Sequence, residues 1–248
     1  MIACAMSAYS RRFYREQMSA SGLTSFQVVV GESDLFVWAE HDLSGEVRES
    51  LARHRLALEE FIAAQPMFGT TYRPYPVPQD APEVVSLMAR AAERAGVGPM
   101  AAVAGALAEL VGRDMLPLSR EIMVENGGDI FIRSGQPRRV GIFAGESPLS
   151  GKLALLVPPT GPRGLGICSS SATVGPSYSA GKADAALVVA ESAALADATA
   201  TALGNRAKSP SHIEGALSWA AAIEGVIGCL VIMGKHLGVR GPLELEKA

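Results

Sequence analysis

Whether residues 216–234, ALSWAAAIEGVIGCLVIMG, cross a membrane or fold into a core is the choice that most constrains this chain. The stretch has the length of a membrane span and a single charge, Glu224, near its middle. A carboxylate there is costly in lipid, and Gly225 and Gly228 follow it closely. The segment therefore reads as a helix ending near Glu224, a glycine turn and a buried strand Val226–Met233, in a protein with no membrane partner.

The rest of the composition suits one globular domain over residues 1–248, built as two packed halves of about 1–95 and 96–248. Of 248 residues, 48% are hydrophobic and 19% charged. Lys and Arg number 22 against 25 Asp and Glu, a net charge of −3, and no basic run is present. Nucleic acid is thus not an expected partner. Cys4, Cys168 and Cys229 are too few and too scattered for a disulfide framework or a zinc site. The first residues lack the apolar core of a signal peptide, so the expected location is cytoplasmic.

Strand-like alternation marks Arg11–Glu16, Phe26–Val30 and Leu35–Ala39, with a turn at Gly31–Asp34. Ser44 is expected to cap a helix reaching Ala64, where Val47, Leu51, Leu58 and Ile62 recur at helical spacing. Five prolines between residues 66 and 82 predict a connector without helix. Helices are expected over about 82–95 and 99–113, each opened by proline. Strands follow at 121–124, 130–133, 140–143, 153–157 and 185–190. A helix over 193–203, stopped by Gly204-Asn205, and another over 213–223 complete the pattern. The class is α+β: antiparallel strands with helices packed on one face.

Four segments carry groups suited to chemistry. Gly96–Ala106 is a small-residue helix start, including Gly98, where a backbone or a flat ligand can approach closely and free N–H groups can hold phosphate. Glu125-Asn126-Gly127-Gly128-Asp129 sets oxygen and amide groups around a glycine kink, although a plain hairpin needs the same residues. The run from Cys168 to Asp184 holds five serines, among them Ser170 and Ser171, with Thr173 and Lys182, and reads as a donor-rich loop. Cys168 itself reads as a small buried thiol. In Leu195–Asn205, Asp197 and Thr201 stand four apart on one helix face, and their oxygens suit Mg²⁺. None of the four histidines pairs with Ser or Cys in a catalytic pattern, so no catalytic residue is assigned.

In this order the segments resemble the ApbE-like superfamily, the FAD:protein FMN transferases. Ala196-Asp-Ala-Thr-Ala-Thr-Ala-Leu203 resembles that family's A-D-A-x-x-T-A-L helix, and Asn126-Gly-Gly-Asp-Ile130 its N-x-G-G-D-I segment. The whole sequence resembles more closely a small uncharacterised branch with the signatures G-P-M-A-A-V-A-G-A and E-N-G-G-D-I. The resemblance implies a T-fold-like α+β architecture and FAD or another flavin. It also implies Mg²⁺ held by Asp197, Thr201 and the carbonyl of Ala101. Gly98, Asn126, Gly127, Gly128, Asp129, Ser170, Ser171, Thr173 and Lys182 become the residues expected around the cofactor. The family's aspartate falls on Gly98 and its lysine on Ala104. Two functions are therefore carried forward. One is an FMN- or nucleotidyl-type transferase acting on a phosphorylated small molecule; the other is a non-catalytic module for a purine, pterin or flavin. A homodimer is the expected assembly.

Overall fold

The computed structural model describes residues 22–171 and 182–248. Strands β1 (Thr24–Val30) and β2 (Ser33–Ala39) form a hairpin around Gly31, whose φ of 56° suits glycine. Helix α1 (Ser44–Ala64) has the expected span. Its N-cap is Leu43, however, and Ser44 is already helical, with its N–H donating to Asp42 Oδ1 at 2.8 Å. The proline-rich connector does contain one helical turn, α2 (Pro66–Thr70). The expectation failed because Pro66 sits at the first helical position, where no N–H is needed.

Helix α3 (Glu83–Ala95) ends at Gly96 in the left-handed conformation, φ 68°. A 3-10 turn, Pro99–Ala102, leads into α4 (Val103–Met115). Strands β3 (Ile122–Asn126), β4 (Asp129–Arg133), β5 (Arg138–Ile142), β6 (Leu153–Val157), β7 (Leu165–Ser170) and β8 (Ala185–Ala190) follow. Then come α5 (Ala193–Arg206), α6 (Ile213–Ala221), β9 (Val226–Met233), β10 (His236–Arg240) and β11 (Glu244–Lys247).

The strand expected at 11–16 lies outside the described residues. Strands β7, β10 and β11 were not expected, and the supposed serine-rich loop begins inside β7. Helix α5 runs through Gly204 and Asn205 to Arg206, because Gly204 is buried against Ser170 and Ala186 and keeps helical geometry. Helix α6 stops at Ala221, two residues early.

One antiparallel sheet has the order β1-β2-β3-β4-β7-β8-β9-β10, and a small one has the order β11-β6-β5. Period-two alternation sends each strand's side chains into two different cores. Ile122 and Val124 of β3, with Ala186, Val188 and Ala190 of β8, face the helices. Met123, Leu187 and Val189 face the small sheet's Val140, Ile142, Leu155 and Val157. The layers are therefore helices, large sheet, small sheet, which is the α+β arrangement with all helices on one face. The strands on either side of residue 95 belong to one sheet, since β2 pairs with β3. Among the described residues no single helix is long and apolar enough to cross a membrane, and the 216–234 segment divides into α6 and β9.

Candidate functional site

The start of α5 is wedged between α4 and β7 by two glycines. A Cβ on Gly105 would lie 2.3 Å from the Ala193 carbonyl oxygen, and one on Gly166 would lie 2.2 Å from Ala193 Cα. Only glycine permits this approach, and the resulting register decides which α5 side chains meet α4.

The two helices cap each other. Asp197, one turn into α5, accepts a hydrogen bond from Gly105 N–H near the start of α4 (2.9 Å), and Ala104 N–H adds a second. Helix α4 has no side-chain cap of its own, so a carboxylate from α5 fills that place. In return Glu109 of α4 takes the N-terminus of α5. Its Oε2 accepts from Ser192 Oγ at 2.6 Å, Ala193 N–H at 2.8 Å and Ala194 N–H at 3.3 Å. Asp197 thus serves the start of α4, and Glu109 supplies the negative charge at the start of α5.

The β3–β4 hairpin reaches the same place from the sheet. Gly127 and Gly128, both with positive φ (68° and 105°), form a two-residue turn. Glu125 Oε1 accepts from Gly128 N–H at 2.7 Å, and Asn126 Nδ2 donates to the Ala104 carbonyl at 3.2 Å. This amide ties the hairpin to the turn of α4 that Asp197 caps. Asp129 is buried, and its Oδ1 accepts from Ser169 N–H of β7 at 3.2 Å. Beside it the buried Cys168 thiol donates to the Ala193 carbonyl at 3.3 Å.

Two carboxylates thus lie close enough to interact, Asp129 buried and Asp197 partly exposed. Burial, reinforced by the Asp197 charge, holds the Asp129 carboxyl well above the usual carboxylate range. Burial pushes Asp197 up to about 7, although the two α4 N–H groups favour its charged form. Burial and the same two carboxylates raise the Cys168 thiol, so it is no nucleophile at neutral pH. A pair of this kind accommodates either a shared proton or a cation.

The sequence candidates fall into two groups. Asn126, Gly127, Gly128, Asp129 and Asp197 converge here, with Ala101 on the turn before α4 and Thr201 one turn beyond Asp197 on α5. Gly98 has a packing role: a Cβ there would lie 1.9 Å from the Thr71 carbonyl oxygen. Ser170 lies at the Gly204 end of α5, Ser171 follows it at the end of β7, and exposed Lys182 bonds through its N–H to the Ala207 carbonyl. Thr173 lies outside the described residues. Sequence reasoning missed Glu109 and did not pair Asp129 with Asp197; 68 residues separate these two aspartates, and no local spacing links them. Among the described residues no group of three or more His, Cys, Asp or Glu is arranged to hold a metal.

Comparison with known proteins gives relatives by sequence and by fold. A UPF0280 protein of Methanocella arvoryzae is 43% identical over 215 residues, 86% of this chain and 87% of its own length. Another, of Methanothrix thermoacetophila, is 45% identical over 78% of this chain and 81% of its own. The apo flavinyl transferase ApbE of Pseudomonas stutzeri superposes with a TM-score of 0.54 at 15% identity, covering 88% of this chain and 94% of its own. The ApbE protein of Thermotoga maritima gives 0.55 at 11%, covering 88% and 97%. At such identities the likeness is one of fold. A family model described as AbpE bacteria matches residues 15–225. With most of its length matched by that model, this chain belongs to the AbpE bacteria family.

Proposed function

We propose that this protein binds a flavin or a related phosphorylated heterocycle together with Mg²⁺, with Asp129 and Asp197 at the centre of the site. The observation that carries the reading is the Asp129–Asp197 pair at the start of α4, in a chain whose fold is that of flavinyl transferases. The donor set fits a hard cation. Aspartate oxygens, the Thr201 hydroxyl and the Ala101 carbonyl are all oxygen ligands, and neither thiolate nor imidazole is required. Asp197 accepts from the Gly105 and Ala104 N–H groups, and an ionised carboxylate with two such bonds keeps further lone pairs to turn toward a cation. A bound Mg²⁺ would neutralise the pair and offer its remaining positions to phosphate oxygens. The chain's own contribution is positional: Asn126 fixes the hairpin, and the Gly105–Ala193 contact fixes Asp197.

Gly98 and Ala104 favour a second reading, a non-catalytic binding module. They stand where the resemblance expects an aspartate and a lysine, and the space beside Gly98 is filled by Thr71. Incubation with FAD, Mg²⁺ and a threonine-containing peptide separates the two. Release of FMN or flavinylation of the peptide supports a transferase. Ligand binding with neither product supports the module, and failure to bind FAD, FMN or a pterin in the presence of Mg²⁺ overturns both.

A further inference from the structure

A second concave site lies at the other end of the α4–α5 contact. It is a cleft of about 520 Å³ lined by α3, the C-terminal half of α4, the loop at Pro162–Arg163, the N-terminus of α5 and Gly225. It shares Glu109 and Ser192 with the capped start of α5, but none of Asn126, Asp129, Asp197 and Thr201 lines it. Four arginines do: Arg90 and Arg94 from α3, Arg113 from α4 and Arg163 from the loop. The chain as a whole carries a net charge of −3, so this concentration of cations runs against its composition.

The partners of these charges show which remain available. Arg113 is held by Glu83 at 3.1 Å, and Arg94 Nη1 donates to the Glu224 carbonyl at 3.4 Å. Arg90 and Arg163 make no ion pair or hydrogen bond with the described residues. Of the two lining carboxylates, Glu109 has one oxygen committed to three donors at the start of α5. Glu191 stands near Arg94 over Gly225, where a Cβ would lie 3.6 Å from Arg94 Nη1 and 3.9 Å from Glu191 Oε2. With Arg113 neutralised by Glu83, three guanidinium groups stand against the two lining carboxylates and leave one positive charge in excess.

Guanidinium forks match phosphate oxygens two at a time and keep their charge at any physiological pH. The volume lies within the range of small-molecule sites and exceeds what one phosphate fills. We propose that this cleft binds a small molecule bearing a diphosphate or two neighbouring phosphates, with Arg90 and Arg163 as its principal ligands. The site is separate from the carboxylate pair and requires no metal, because its charge comes from the side chains.

Titration calorimetry with inorganic pyrophosphate, in EDTA to silence any Mg²⁺ site, tests the assignment. The expected result is binding to the full chain that weakens as salt is raised. Arg90→Gln/Arg163→Gln should bind at least tenfold more weakly with an unchanged urea midpoint, since both side chains are exposed. Arg90→Gln alone should give an intermediate affinity. Absence of pyrophosphate binding to the natural chain, or equal binding to the double variant, overturns the proposal. A nucleoside diphosphate distinguishes the anion's source. Binding at least as tight as pyrophosphate supports a small-molecule ligand; exclusion of it while pyrophosphate binds overturns that part and leaves a free inorganic anion.

Discussion

Replacing Asp197 by Asn changes one atom type at the site and tests the electrostatic argument directly. An ordinary aspartate titrates near 3.9, whereas burial pushes Asp197 up to about 7. Between about pH 4 and 7 the folded chain therefore keeps a proton that the unfolded chain has lost. The Asp197 contribution to stability must fall across that window as pH rises, by about 1.4 kcal/mol per pH unit, and Asp129, also raised, adds a loss of the same sign. The Asp197 share is of order 4 kcal/mol. Asn keeps an oxygen to accept from Gly105 N–H but carries no charge, and it relieves part of the upward push on Asp129. Urea unfolding in EDTA should give similar stabilities for both proteins near pH 4. At pH 8 the variant should be more stable, by up to about 4 kcal/mol. Saturating Mg²⁺ at pH 8 should recover stability in the natural protein, about 2.7 kcal/mol at a hundredfold excess over its Kd, and much less in the variant. Parallel stability profiles from pH 5 to 8 would refute the buried-charge argument, and equal Mg²⁺ affinity by calorimetry would refute the cation assignment.

Three further outcomes follow from the packing. Gly105→Ala drives a methyl group against the Ala193 carbonyl and the Asp197 Cβ, so chemical denaturation should show a loss of about 1–3 kcal/mol or more, with weaker Mg²⁺ uptake. Glu109→Ala strips the acceptor from Ser192 and two α5 N–H groups; a loss of about 1–3 kcal/mol is expected in the same assay, and a loss below 0.5 kcal/mol would show that water replaces it. Among the described residues the large sheet ends at β1 and β10, and a homodimer is expected to cover one of these edges. Light scattering that stays near 25.8 kDa at high concentration removes the dimer.

Much of the element pattern was legible because local rules and tertiary structure agreed. The spans Ser44–Ala64, Leu153–Val157, Ala185–Ala190 and Val226–Met233 match the hydrophobic periodicity read from the sequence. Strand β7 was illegible for a tertiary reason. Its sequence, LGICSS, is poor in strand formers; Gly166 is there to admit Ala193, and the serines suggest a loop. Gly204 misled in the same way: a glycine late in a helix usually marks its end, but here it lets the helix continue against β7 and β8.

By itself the sequence determined the class of fold, the positions of most helices and the residues able to carry chemistry, because periodicity, proline and glycine act over a few residues. It also supplied the family resemblance, through Asn126–Ile130 and Ala196–Leu203. Only the tertiary structure decided that Asp129 and Asp197 form a pair, that Glu109 rather than Asp197 caps α5, and that four arginines from α3, α4 and a loop face one cleft. Each of these juxtapositions joins side chains far apart in the chain, and their energies depend on distance and burial, quantities that local spacing does not encode.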